Sequence, residues 1–414
     1  MVRSPLPSLA AAMAALALTL VAGVTGAQAA VPPGTWQVLR SVSPDPTKVD
    51  DSLFAGVSMS SASDGWAVGS FSNPQAVNQP LAEHWDGHAW RITAVPPLPS
   101  GAASGVLSGV DEVAPANAWA TGDLTLAAGG TRTLIEQFTG TSWAVAPSPN
   151  PFTGPGADDE LNAVGGTSAS DLWAVGFAFD GNTLAEGLFE HFNGTTWQAA
   201  PLLAAPGIPD FTAVSAVSSN DVWAVGSGLN AIDSTLAAHW NGHTWQVVTT
   251  PCLNGAKIIV QENACHQSSN QLTGVTAVAT NNVWASGYEL ENSNVRVPYV
   301  LHWNGKTWSL IKTPNPGTRQ GGTGSSLFAI TALSASDAWV VGHSQNGNGT
   351  ITTLTEQLNG STWTVVPSPN PGLLGVDTLD GVAGAGGTQL FTIGSDEQSG
   401  QCCLRTLALR NTSG

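Results

Sequence analysis

A unit of about 54 residues recurs along this chain. Segments repeating at such a period cannot bury their own apolar faces, so they stack on their neighbours as solenoids, arrays or propellers. Trp-Ala-Val-Gly-like runs begin at Trp66, Trp119, Trp173, Trp223, Trp284 and Trp339, and Phe391-Thr392-Ile393-Gly394 is the seventh. A second signature follows each Trp-led run: His84 to Trp90, Gln137 to Trp143, His191 to Trp197, His239 to Trp245, His302 to Trp308 and Gln357 to Trp363. With Trp36, all 16 tryptophans fall on repeat positions.

Each unit parses into four short strands divided by turn residues. Strand A is the Leu/Phe-x-x-Val stretch, as in Leu161 to Val164, and strand B carries the Trp-Ala-Val-Gly run. Strand C ends in His-Trp or its substitutes, an Asn-Gly or similar turn makes a tight hairpin, and strand D starts with Thr-Trp. Four antiparallel strands per unit predict an all-β chain of propeller blades. The seventh unit supplies strands A to C over about 379–410 and then the chain ends. Gly34-Thr35-Trp36-Gln37-Val38 matches the strand-D start Gly242-His243-Thr244-Trp245-Gln246-Val247, so the N-terminal strand, about 34–40, is expected to complete the last blade. The expected fold is a closed seven-bladed β-propeller, with a pair of exposed strand edges removed by the closure.

Spacing separates the two ends of the blades. From the first residue of strand A to the strand-B Trp or Phe is 12 residues in all seven units, and from the residue closing strand C to the strand-D Trp is 5 in six. Strand B to strand C is 19 in every unit but one, whereas strand D to the next strand A runs from 14 (Trp197 to Phe211) to 27 (Trp245 to Leu272). In a propeller the D–A and B–C connections emerge on one face, and variable loops on a rigid scaffold are where binding resides.

Residues 1–30 read as a secretory signal peptide: Arg3 supplies the positive region, Leu9 to Val24 the apolar region and Ala27-Gln28-Ala29 the cleavage site. The apolar run is shorter than the roughly 18 residues a bilayer core needs. The expected product is a secreted, monomeric single domain over 31–414. A net charge of −17 with 12 Lys and Arg argues against a nucleic-acid partner, because phosphate binding needs clustered cations. Four cysteines in an exported chain suggest disulfides. Cys252 and Cys265 bracket one long loop and are expected to pair. The adjacent Cys402 and Cys403 could bridge each other, stay thiols or link to the other pair.

The Asn-Gly-Lys-Thr-Trp of residues 304–308 resembles the Asp-box of secreted sialidases, glycan-binding propellers and photosystem-assembly-factor-like propellers, whose Asp-Gly-Gly-x-Thr-Trp makes the same C–D turn. One glycine is missing throughout and Asn replaces Asp except at Asp86, so the resemblance implies a propeller and no activity. Kelch-type propellers have a similar period, but their double glycine is absent from runs such as Val68-Gly69-Ser70.

Repeat equivalence removes the first chemical candidates. His84, His191, His239 and His302 occupy equivalent positions in different blades and cannot converge on one ion, and Gln137 and Gln357 share the slot, so hydrogen bonding within each blade is expected. Asp64, Asp171, Asp221 and Asp337, with Asn117 and Asn282 in the same place, read as Asx-type turns closing the A–B hairpins. A sialidase-like site would need an arginine triad and a tyrosine nucleophile; only Tyr288 and Tyr299 exist, and Arg91, Arg132, Arg296, Arg319 and Arg405 show no matching motif. Copper-radical oxidation lacks tyrosine and histidine ligands. There is no nucleophile elbow, P-loop, dinucleotide fingerprint or His-Glu-x-x-His motif.

Two loops depart from the repeat, Pro251 to Gln271 and the acidic Gly156 to Glu160. Asp158, Asp159 and Glu160 are the candidate ligand-binding residues and could give oxygen ligands to Ca²⁺. Asp45, Asp50, Asp51, Asp180, Asp210, Asp233, Glu289, Glu291, Asp396 and Glu397 are expected to crowd the same face. No catalytic residue and no obligatory cofactor is assigned, and whether the chain is an enzyme stays open. The leading expectation is a non-enzymatic binding propeller for a glycan or an extracellular protein. The alternatives are a glycoside hydrolase or lyase working with two carboxylates, about 5 Å apart for retention or about 6.5 to 9.5 Å for inversion, and a structural or adhesive surface protein.

Overall fold

A computed structural model describes residues 35–44, 51–205, 207–229, 234–254, 257–259, 269–291, 295–318, 323–372, 374–397 and 404–412. The leader, Asp45, Asp50, Asp233, Cys265, Arg319, Cys402 and Cys403 lie outside them. Regular structure among these residues is β-strand, with one 3-10 turn at Pro316–Thr318.

Apart from the short hairpin of Cys252–Asn254 and Lys257–Ile259, the strands form seven four-stranded antiparallel units, each in the order A-B-C-D. The third unit is typical: Asp158–Ser168, Asp171–Phe179, Ala185–Phe192 and Trp197–Ala199. Strand A is longer than its Leu161–Val164 signature because the acidic residues before it also pair, Asp158 opposite Phe179 and Glu160 opposite Phe177. Leu172 to Gly176 is buried continuously rather than alternately, as expected of a strand covered on both faces. The strand-B glycine has a steric cause. Strand A bulges after its apolar anchor, between Leu161 and Ala163 in this unit, and a Cβ on Gly176 would stand 2.0 Å from the Glu160 carbonyl oxygen. The equivalent Gly69, Gly122, Gly226, Gly287, Gly342 and Gly394 meet strand A in the same way, at 1.9 to 2.1 Å.

The last unit is completed from the other end of the chain. Trp36–Leu39 pairs antiparallel with Leu404–Thr412, Trp36 opposite Asn411, beside Gln389–Glu397 and Asp377–Ala385. Apolar clusters join consecutive units, as where Trp119 and Ile135 pack on Leu161, Leu188 and Trp197. One such cluster joins Phe391, Ile393 and Ala408 of the last unit to Phe54, Leu81 and Trp90 of the first. Within the clusters the strand-B Trp of one unit meets the strand-D Trp of the next edge to face: Trp66 with Trp143, Trp173 with Trp245, Trp223 with Trp308, and Trp339 with Trp36 at 5.8 Å. Aromatic quadrupoles favour that geometry.

Polar bonds tie neighbouring units at two levels. Nearer the D–A end, Asn162 Nδ2 donates to Phe211 O (3.0 Å), Thr212 Oγ1 to Leu272 O (3.0 Å) and Thr273 Oγ1 to Leu327 O (2.8 Å). Nearer the A–B end, Ser58 Oγ accepts from Glu112 N–H, Asp111 Oδ2 from Gly166 N–H and Ser215 Oγ from Ala277 N–H, each at 3.0 Å.

The repeated histidines are internal hydrogen-bonding groups, as their equivalence suggests. His84 Nε2 lies 2.7 Å from Asp64 Oδ1, His191 2.7 Å from Asp171 and His239 2.8 Å from Asp221, while His302 meets Asn282 Oδ1 at 2.9 Å. Gln357 Nε2 donates to Asp337 Oδ1 in the same slot. The repeated aspartates are therefore partners of strand C and not the Asx turns expected of them. The A–B turns are closed instead by serine hydroxyls three residues before the aspartates, Ser61 accepting from Ser63 N–H and Ser168 from Ser170 N–H. Asx geometry appears at the C–D hairpins, where Asn193 Oδ1 accepts the Thr195 and Thr196 N–H groups and Gly194 takes φ 88°.

Cys252 is buried and disulfide-bonded. Mass mapping of the non-reduced protein should find it joined to Cys265, the cysteine that shares its loop. A link to Cys402 or Cys403 would refute that pairing.

Candidate functional site

Tight A–B turns, and tight C–D turns in the first six units, occupy one end; the other end carries the strand-A starts, the strand-B ends and the connections of varied length. At this second end the side chains stop repeating. The residue after the strand-B glycine is Ser70, Asp123, Phe177, Ser227, Tyr288, His343 and Ser395 in successive units. The residue before the strand-A anchor is Leu53, Val106, Glu160, Asp210, Gln271, Ser326 and Thr378.

Units two to four place carboxylates together here. Glu160 is half-buried, and burial with the charges of Asp123, Asp210 and Asp158 lifts its carboxyl to about 7. Burial alone takes Asp123 to about 6. Asp210 is raised by burial against the opposing bond from Asn162 Nδ2, 2.7 Å from its Oδ1. Thr131 Oγ1 sits 3.4 Å from both Asp158 Oδ1 and Glu160 Oε1. The geometry suits a ligand bearing hydrogen-bond donors or positive charge.

Asp158, Asp159 and Glu160 lie in a strand, not in an exposed loop, and alternate strand residues face opposite ways. Asp158 and Glu160 share the acidic side. Asp159 is fully buried on the other, and its Oδ2 accepts the Phe152 N–H at 3.3 Å. Its equivalents do the same work: Asn270 Oδ1 accepts Leu253 N–H at 2.9 Å and Asp377 Oδ1 accepts Gly372 N–H at 2.7 Å. Asp159 therefore holds the preceding D–A connection. The three consecutive carboxylates cannot converge on one Ca²⁺, and no group of three or more His, Cys, Asp or Glu side chains among the described residues could hold a metal ion.

The wider acidic rim is also more structural than its charge suggested. Asp180 Oδ1 accepts the N–H groups of Asn182, Thr183 and Leu184, which lower its pKa. Asp51 Oδ1 accepts the Leu404 N–H. Glu289 and Asp396 are buried.

Units five and six present different chemistry. The Arg296 guanidinium lies 6.0 Å from the centre of the Tyr288 ring, Phe328 packs edge-on to Tyr288, and the His343 ring is 5.1 Å from Phe328. Burial and the Arg296 charge lower His343 to about 4, so it is neutral at pH 7. Sequence reading weighed Tyr288 and Arg296 only against a sialidase-like site and passed over Phe328 and His343, although the non-repeating position after the strand-B glycine marks Asp123, Tyr288 and His343. It also passed over Glu83, Glu136, Glu190 and Glu356, which precede the strand-C His or Gln and are entirely buried.

No family model matches the sequence, and no curated protein sequence matches it significantly. Solved structures do match in shape. YCF48 bound to D1 peptide is similar with a TM-score of 0.51 at 14% identity, over 93% of this chain and 99% of that one. A polysaccharide lyase, the PL25 ulvan lyase bound to a glucuronate–sulfated rhamnose repeat, matches with a TM-score of 0.49 at 9% identity, over 91% and 94%. A fungal lectin from Aleuria aurantia, described as a six-bladed β-propeller with a fucose recognition mode, matches with a TM-score of 0.45 at 11% identity, over 78% and 97%. At such identities the likeness is one of fold: this is an all-β chain whose structural neighbours are β-propellers.

Proposed function

We propose that the seven units are the blades of a closed, secreted, monomeric β-propeller that acts as a non-enzymatic binding module for a glycan or an extracellular protein. Its binding face is the end bearing the D–A and B–C connections. One observation carries this reading. Side chains at the opposite end repeat as His or Gln paired with Asp or Asn in the first six units, whereas side chains at this end are acidic in units two to four and aromatic or cationic in units five and six. Residues free of a repeated structural duty are available for recognition.

Asp158, Glu160, Asp123 and Asp210 form the acidic side of the proposed face, and Asp159 supports it from behind. A glycan array probed with the purified mature protein should return a ligand. Glu160→Gln with Asp210→Asn should weaken that ligand at least about tenfold, the scale of losing charged hydrogen bonds, with little change in melting. Asp159→Ala should lower the melting temperature, since it leaves the Phe152 N–H unpaired. His239→Ala, at the other end, should cost stability and leave affinity intact. Affinity lost in His239→Ala but kept in the Glu160/Asp210 variant would put the site on the wrong end. Because the Glu160 carboxyl titrates near neutrality, any glycan found should also be assayed for cleavage.

A further inference from the structure

Resting on that reading of the D–A/B–C end, we propose that Arg296, Tyr288, Phe328, Ser326 and His343 form a subsite for the carboxylate of an acidic sugar, a uronic acid within a longer glycan. Arg296 opens strand Arg296–Trp303, and its backbone is fixed on both sides. Its N–H donates to Thr323 O at 2.7 Å, and its carbonyl accepts Asn315 Nδ2 at 2.9 Å. Gly324 lies so close, at φ 91°, that a Cβ there would stand 1.9 Å from the Arg296 oxygen. The side chain therefore leaves the strand from a preset position.

Its guanidinium is half-buried and has no carboxylate within ion-pair distance among the described residues. The chain has 29 Asp and Glu against 12 Lys and Arg, and exposed Arg91 does take a carboxylate, Asp86, at 2.5 Å. A partly desolvated guanidinium left over an aromatic ring is set up for an anion supplied from outside, and its planar fork matches a carboxylate.

The neighbours define what carries that carboxylate. The Tyr288 hydroxyl donates to Gln271 Oε1 at 2.8 Å, which fixes the ring, and Phe328 stands edge-on beside it. Together they offer apolar surface for the C–H face of a sugar. Ser326 and His343 are cross-strand partners, and both Ser326 Oγ and His343 Nδ1 are buried without a hydrogen-bond partner among the described residues. Ring hydroxyls of a sugar, directly or through a water, can satisfy such atoms. An aspartate or glutamate side chain carries no hydroxyl beside its carboxylate, whereas a uronate ring presents several next to it, so the two orphan atoms favour the sugar.

Calorimetric titration of the mature protein with tetragalacturonate and tetramannuronate tests this, with their carboxyl-reduced forms and tetraglutamate as controls. At least one uronate should bind, its reduced form at least about tenfold more weakly, the usual scale of a charged hydrogen bond. Arg296→Gln should lose that preference without a change in melting temperature, and Arg296→Lys should recover only part of it. Absence of uronate binding, equal binding of the reduced sugar, an unaffected Arg296→Gln variant, or tighter binding of tetraglutamate would each overturn the subsite. Binding of a neutral glycan that survives Arg296→Gln but falls with Glu160→Gln would overturn it too, and would leave the wider binding face standing.

Discussion

Removing residues 31–44 should leave a protein that aggregates or melts about 10 °C lower, or more. Strand Trp36–Leu39 is the outer partner of Leu404–Thr412 in the last unit. Trp36 is 8% exposed, meets Trp339 edge to face, and packs with Leu379 and Leu407. Leu39 belongs to the cluster joining the last unit to the first. Removing one large buried aromatic commonly costs about 3 to 5 kcal/mol and a Leu about 2 to 5, and a domain this large shifts by about 2 °C for each kcal/mol. Deletion also uncovers Leu404–Thr412 as a free edge, which templates association. Removing residues 31–34 alone, which spares Trp36, should have little effect. Calorimetry and light scattering read both variants, and an unchanged melt for the longer deletion would mean that the N-terminal strand does not hold the last unit.

The pairing of Trp36–Leu39 with the C-terminal strand was legible because the Thr-Trp-Gln-Val of residues 35–38 copies a strand-D start that appears elsewhere in a known place. Position within the unit was equally legible for the tryptophans, the C–D hairpins and the histidines. Interactions between repeated positions were not. Asp171 and His191 are 20 residues apart, and only the pairing of strands B and C brings them to 2.7 Å; each looked locally explicable on its own. Three consecutive carboxylates make the stretch 158–160 read as a loop, yet their backbone continues the strand A ladder and alternation sends Asp159 inward. Burial of Glu83 or Glu190 was invisible for a related reason. A charged residue before a polar one reads as solvated surface, and only the neighbouring unit covers it. The recurring Ser-Pro-Asn-Pro segments at 148–151 and 368–371 held the available clue, since Ser148 Oγ bonds Thr133 of its own unit and Glu190 of the next.

Lowering the pH from about 8.5 to about 5.5 should stabilise this protein strongly, the reverse of ordinary acid sensitivity. Glu83, Glu190 and Glu356 are raised by burial to about 8, and Glu136 to about 7. All are 0 to 1% exposed, and no Lys, Arg or His pairs with them among the described residues. Ser41 Oγ, 3.1 Å from both Glu83 oxygens, and Ser148 Oγ, 3.1 Å from Glu190 Oε2, only partly offset the burial, and the Asp159 charge raises Glu190 further. Equivalent positions hold Ala238, Leu301 and Leu409, so the slot is apolar and the carboxyl occupies it as the neutral acid. These folded values exceed the unfolded one, about 4.5, so the folded chain holds more protons between those limits. Stability is therefore complete below about pH 4.5 and is lost as pH rises through about 8. A full shift is worth about 1.4 kcal/mol per pH unit per group; relaxation and water entry reduce it, but a third of that over four groups is still several kcal/mol. His343, held down near 4, opposes the trend below pH 6.5, as does the lowered Asp180 at more acid pH, so the optimum should fall near pH 5. Glu190→Gln and Glu356→Gln keep the shape without the charge. Each should raise the melting temperature at pH 8.5 and flatten its pH dependence, while Glu186→Gln, at a half-buried position, should do neither. A melting temperature that climbs between pH 5.5 and 8.5 would show that these glutamates are ionised in the folded protein and that the seams between its units admit water.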